Sequence, residues 1–308
     1  MKGHRVRLTE YYGISQPVDF VDIDIVGDTR VFLDPFKVAR AGLGDPLARE
    51  ADANVRHYSS LLSAKLLSAD LADVARAHQM LENLNEPRET RLGMSRVGYN
   101  GKGLAKHHAE LVAGALRGDL RPLLSIGIFQ WLGALPVYVK GISADRMSDM
   151  TTAIIRAQLA RYTQIQIASH PQFASHPHTL RPHNLKVWDS QREEWVDGRY
   201  QLPFAEGHPI LLVPRGWTGR SLEVKGDRFY GVSSLGYLQQ EYQLKNPTAG
   251  KPSKAALEKQ FPNRYPVNLA VTLRAYDNGV RLFDEFLRYV DDKLRYAEDK
   301  ALRVDAAS

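Results

Sequence analysis

Apolar and polar positions change their period several times along this chain, and each change predicts an element. Residues 17–34 alternate acids with apolar side chains and turn at Gly27 and Asp28. That period of two predicts a β-hairpin with one wet face, ended by Asp34 and Pro35. Residues 46–66 and 68–84 then repeat apolar positions every three to four residues, predicting two amphipathic helices, the second capped by Ser68.

A polar, glycine-bearing stretch follows over 86–103, then a helix over 104–117 and an apolar segment over 120–133. The run 135–140 reads as a short strand, and a long helix is predicted from Ser143 to Ser169. Proline and histidine then dominate, at His170, His176, His178 and His183, and read as a polar connection. A soft boundary falls there, dividing the chain into 1–169 and 170–308. Short strands are predicted at 185–188, 194–196 and 210–213, and helices at 233–246, 253–260 and 276–297. The expected architecture is a helix-rich α/β or α+β protein with a small mixed sheet.

The start of the long helix carries the most chemistry. At roughly 100° per residue, Met147, Met150, Ile154, Ile155, Tyr162 and Ile165 share one face. Asp145, Asp149, Thr152 and Arg156 lie opposite, on the face expected to be solvated. Asp145 and Asp149 are one turn apart and repel, while a Ser143 cap, the helix dipole and Arg146 offset part of that repulsion. Such a carboxylate pair can hold a divalent cation or position a proton transfer. It also fits a charge-balanced helix start.

Composition narrows the classes. The chain has 308 residues, 44% hydrophobic and 25% charged, with no cysteine and a formal net charge of +6. Disulfides, thiolate zinc sites and a cysteine nucleophile are thereby excluded. No apolar run reaches the roughly 18 residues that span a bilayer, and the basic, polar start is unlike a signal peptide. A cytoplasmic protein with anionic partners, nucleic acid above all, is the expectation.

The loop over 98–103 adds a phosphate-binding element. Gly101 and Gly103 flank Lys102 just before a helix, and Arg88, Arg91 and Arg96 lie in the same stretch. Backbone N–H groups at such a turn can cradle phosphate. Glu89 sits among these arginines, and Asp34 could supply a third metal-binding oxygen to Asp145 and Asp149. Glu223 and Lys225 have the Glu-x-Lys spacing of many metal-dependent nucleases, without an acid on the strand before them. The histidines match no structural zinc spacing.

Three segments together resemble a known group. They are Leu84 to Ser95 with Gly101 to Gly103; Gly141 to Asp149 continuing through Gln164; and Trp188 with Leu212, Val213 and Pro214. With Phe32 to Pro35 at the front, they resemble uncharacterised bacterial proteins found with mobile elements or antiphage defence islands. The resemblance spans about 18–245 and carries over no established activity. It implies that Asp34, Glu89, Asp145 and Asp149 meet at one site.

The expectation is therefore a metal-dependent phosphodiesterase or nuclease acting on nucleic acid, in antiphage defence. Asp145, Asp149 and Glu89 would be its catalytic residues. Asp34, Asp145 and Asp149 would hold Mg2+ or Mn2+. Arg91, Lys102, Arg146, Gly101 and Gly103 would hold phosphate. The alternatives are a non-catalytic nucleic-acid-binding or assembly subunit working with other defence proteins, and an enzyme on a small phosphorylated ligand.

Overall fold

The computed structural model describes residues 5–84, 86–93, 102–175 and 180–305. Helix α1 (Leu8–Tyr12) is followed by a long extended segment that ends in the two-residue strand β1 (Phe32–Leu33). The hairpin expected over 17–34 does not form. Its apolar residues pair instead with distant chain: the Val21 N–H donates to the Val213 carbonyl, and the Ile25 N–H to that of Val6. Both faces of the segment are covered, so Phe20, Val21, Ile23 and Ile25 join Leu8, Phe173 and Ile210 in a small second core. The turn at Gly27 is real. It is closed by the Asp24 carboxylate, which accepts from the Val26 and Gly27 N–H groups.

Helices α2 (Pro35–Ala41), α3 (Pro46–Leu67) and α4 (Leu71–Glu82) each begin on an aspartate whose carboxylate accepts a backbone N–H two residues on. These are Asp34, Asp45 and Asp70, so the cap of α4 is Asp70 rather than Ser68. In α2 and α3 a proline follows the cap, where its missing N–H is no loss. The 22-residue α3 is the spine of the main core. It buries Ala48, Ala51, Val55, Tyr58, Leu62 and Leu66 along one stripe. Helices α5 (Lys102–Arg117) and α6 (Arg121–Ser125) pack beside it.

The run expected as a strand at 135–140 is a short buried helix, α7 (Leu135–Tyr138). It is apolar on every side and has no strand to pair with. A continuous apolar run does not distinguish a buried strand from a buried helix turn, and Pro136 in the first turn favours the helix. Gly141, at φ 94, turns the chain into α8 (Ala144–Ile154), which Ser143 caps by accepting the Arg146 N–H at 3.2 Å. The long helix predicted from there breaks at Ile155, and α9 (Arg156–Ser169) continues it. The expected faces also shift. Thr152 and Arg156 are buried while Ile165 is exposed, because core covers α8 on more than one side.

Helix α10 (Gln172–Ser175) leads towards a long two-stranded ribbon, β2 (Leu180–Asp189) and β3 (Glu194–Ala205), extended by β4 (His208–Pro209). The ribbon runs in register from Leu180 opposite Pro203 to Asp189 opposite Glu194. The short strands expected at 185–188 and 194–196 are parts of its two arms. The 210–213 run is buried but joins no sheet. Its N–H groups reach the Glu89 carbonyl and the Thr163 hydroxyl instead. Strand β5 (Thr218–Gly219) pairs with β1.

Helix α11 (Gly226–Phe229) passes through a π-helical turn into α12 (Leu235–Lys245), followed by α13 (Lys254–Gln260), α14 (Arg264–Asp277) and α15 (Leu282–Asp305). Gly279, at φ 76, separates α14 from α15; the helix expected over 276–297 corresponds to α15, and α14 before it was not expected. Asn268 ties this layer down by donating to the Val137 and Gly226 carbonyls. One apolar cluster runs from Leu33 to Val290, so the boundary at 169 separates elements that share a core. The fold is helix-rich α+β with two small antiparallel sheets. No described helix is long and apolar enough to cross a membrane.

Candidate functional site

Asp145, Asp149, Thr152 and Arg156 follow one another at four-, three- and four-residue steps, one stripe along α8 and into α9. The segment 86–93 comes against this stripe. The Thr29 N–H donates to the Arg91 carbonyl and the Gly93 N–H to the Thr29 carbonyl, which hold that segment beside the turn carrying Asp28. Gly93 has φ 127, and a Cβ built there would sit 2.6 Å from Asp145 Oδ1. The backbone conformation therefore requires glycine, and an added Cβ would push the Asp145 carboxylate aside. Glycine lets the backbone close over the carboxylate.

Asp149 is the most perturbed carboxyl of this group. Burial pushes its pKa from 3.8 up to about 8, and the charges of Asp145, Glu86 and Asp28 push in the same direction. At neutral pH the group holds a proton that an ordinary aspartate has lost. Such perturbation is common at functional sites, though structural clusters produce it too. Arg91, in a left-handed conformation at φ 49, lies on the same segment as Gly93. Burial lowers its pKa, while Asp28, Asp24 and Glu206 oppose the shift.

Further along the stripe the chemistry changes. Glu89 Oε1 lies 3.9 Å from His183 Nε2 on β2, and its other oxygen is buried without a hydrogen bond. Glu89 also acts electrostatically on Arg156, whose burial lowers its pKa. The Arg156 guanidinium donates to the Lys186 carbonyl at 2.9 Å, but its Nε finds no acceptor, and neither does the Thr152 hydroxyl find a partner. Buried polar atoms left in this way are uncommon in folded proteins.

The other expected residues lie differently. Asp34 is drawn into a separate network. Its carboxylate accepts the N–H of Phe36 at 2.9 Å and of Glu223 at 2.7 Å, so it caps α2 and tethers the 223 segment. Burial pushes it up to about 6; the charge of Glu223 adds to the rise and that of Lys37 opposes it. Glu223 is paired in turn with Arg228 at 2.9 Å and Lys37 at 3.8 Å, and Lys225 with Asp227 at 3.6 Å. The Glu-x-Lys spacing thus belongs to a structural ion-pair network off any strand. Arg146 folds back to donate to the Gly141 carbonyl at 2.7 Å and closes the turn before α8. Lys102 and Gly103 open α5, and Gly101 lies outside the described residues.

Of the residues expected at the site, the structure brings Asp145 and Asp149 together, and it adds Glu86 and Asp28 near Asp149, and His183 and Arg156 near Glu89, which sequence reasoning did not connect to them. Helical phase had already placed Thr152 and Arg156 in line with the two aspartates. Their line marked a buried contact rather than a solvated face. Among the described residues, no three His, Asp or Glu side chains gather closely enough to hold a metal ion. The carboxylates are hard oxygen donors of the kind Mg2+ and Mn2+ prefer. Without a cation, the arrangement stores a proton on Asp149 among acids.

A family model described as a domain of unknown function, DUF8370, matches residues 13–224. No curated protein and no solved structure matches the chain.

Proposed function

The chain belongs to the DUF8370 family, and we propose that it is a phosphodiester hydrolase, a nuclease acting in bacterial antiphage defence, worked by the Asp149 carboxyl. The observation carrying this reading is the rise of Asp149 to about 8 beside Asp145, with Glu86 and Asp28 facing it. A carboxyl that exchanges a proton near neutral pH suits general acid–base work. The same crowding is relieved when a divalent cation replaces the proton. Asp145 and Asp149 are the residues that would hold Mg2+ or Mn2+, which supplies charge on the phosphate and an activated water when bound. Among the described residues the carboxylates alone do not complete such a site.

The chain's own residues fill the remaining roles. Arg91, beside Asp28, and the basic residues leading to Lys102 hold the phosphate backbone. Glu89 pairs with His183 and balances the charge of Arg156. The protein acts in the cytoplasm on nucleic acid, with other defence proteins as partners.

A second reading rests on the same finding that no three described acids converge and on the net charge of +6. In it the chain binds nucleic acid without cleaving it, through counterion release from phosphate. Mobility shifts of labelled DNA and RNA at rising salt, with and without Mn2+, separate the two. Turnover that requires the cation supports the hydrolase. Tight, salt-sensitive binding without turnover under any cation supports the binding subunit and removes the hydrolase.

A further inference from the structure

Between the region matched by the family and the C-terminal helices lies a cavity of about 300 Å³. It shares no residue with the site above. One wall is the 126–131 turn with Arg56 of α3, and the other is the end of α14 with the start of α15. Its walls are mixed: Ile128, Trp131, Phe283 and Leu287 supply apolar and aromatic surface, and polar atoms make up slightly more of the lining. The volume is at the lower end of that of small-molecule pockets, which favour domain interfaces and apolar walls with a few polar groups.

Two of the polar side chains in its walls, Arg56 and Arg281, are cationic, against Asp284 as the acid there. The Arg281 guanidinium lies over the Tyr276 ring, 4.4 Å from its centre, a stacked position that leaves its donors available. Arg56 is paired through Nε with Asp52 at 2.7 Å. The cavity also meets the N-terminus of the 24-residue α15, where the helix dipole favours negative charge. An independent feature points the same way: Trp131 is 6% exposed, and its indole N–H has no acceptor among the described residues. A buried aromatic N–H normally finds one.

We infer that this cavity binds a small amphipathic anion, an aromatic or branched hydrocarbon body carrying one carboxylate or phosphate. The body fills the space between Ile128, Phe283 and Leu287, and the anionic head meets Arg281 and Arg56. Because both walls contribute, binding clamps α14 and α15 onto the rest of the chain and stabilises the native state by mass action.

The test uses the full chain and 3-phenylpropionate as probe, with 3-phenylpropanol as its uncharged counterpart. The chain has 4 tryptophans, so nitrogen–proton spectra resolve the indole signals individually. The inference expects one of them, the signal lost in Trp131→Phe, to move saturably with the acid, and the melting temperature to rise. Arg281→Gln weakens the acid about fivefold and leaves the alcohol unchanged, while Leu287→Trp fills the cavity and abolishes both. Acid and alcohol binding equally would overturn the anion assignment. An unmoved Trp131 signal at about 10 mM probe, far above useful affinity, overturns the site. So does undiminished binding to a folded Leu287→Trp. If Leu287→Trp does not fold, the Arg281→Gln response and the Trp131 signal decide.

Discussion

Replacing Asp149 by asparagine removes the charge that the fold disfavours and keeps the shape. The native state holds the Asp149 proton up to about pH 8, whereas the unfolded chain releases it near 3.8. Folding stability from this group is therefore complete below about pH 4. It falls as pH rises and reaches its full deficit above about pH 8. At about 1.4 kcal/mol for each pH unit, the deficit has a ceiling of roughly 6 kcal/mol. Local rearrangement and water entry reduce this to about 2–3 kcal/mol in practice. Asparagine cannot ionise, so Asp149→Asn gains nothing at pH 4 and about 2–3 kcal/mol at pH 8.5. Urea unfolding of both proteins at pH 4.5, 6.5 and 8.5 measures this directly. An equal midpoint shift at all three values, or a destabilised variant at pH 8.5, refutes the claim that burial among acids perturbs Asp149.

Other positions give contrasting outcomes. Asp34→Ala removes the α2 cap and the tether to Glu223 together, and is expected to destabilise by about 2–4 kcal/mol in urea unfolding; a loss under about 0.5 kcal/mol contradicts its structural role. Gly93→Ala places a methyl carbon against the Asp145 carboxylate at φ 127, so a loss of about 1–3 kcal/mol is expected, with any cleavage activity falling alongside; wild-type behaviour in both contradicts the close approach. Tyr58 is fully buried with a hydroxyl that has no partner. Tyr58→Phe should be neutral or stabilising by up to about 1 kcal/mol, and a clear loss in thermal unfolding would expose a partner for that hydroxyl.

How much of this was legible in the sequence depends on which local rule governed each segment. The α3 and α4 helices were readable because their amphipathic period is sustained over several turns, although the cap of α4 is Asp70 and not Ser68. The 135–140 run was misread because its burial on every side erases the period. The 17–34 segment kept a strand-like period, but its partners are the 210–214 region and Val6, far away in sequence. At the site, Asp145 and Asp149 were readable as a helical pair. Their surroundings were not, because the segments carrying Asp28 and Glu86 arrive through long-range contacts that spacing does not encode. Asp34 shows the converse: its Asp-Pro context already signals a helix cap, and the structure uses the carboxylate for that.

Single-turnover cleavage of end-labelled nucleic acid, with Mg2+ or Mn2+ or with chelator, tests the central claim most directly. The wild-type protein is predicted to cleave only with the cation. Asp149→Asn, more stable at pH 8.5 than the wild type, is predicted to lose at least about a hundredfold in rate, within the range for removing an acid–base group. Cleavage by folded Asp149→Asn at the wild-type rate would contradict the account, as would wild-type protein that binds nucleic acid and never cuts it.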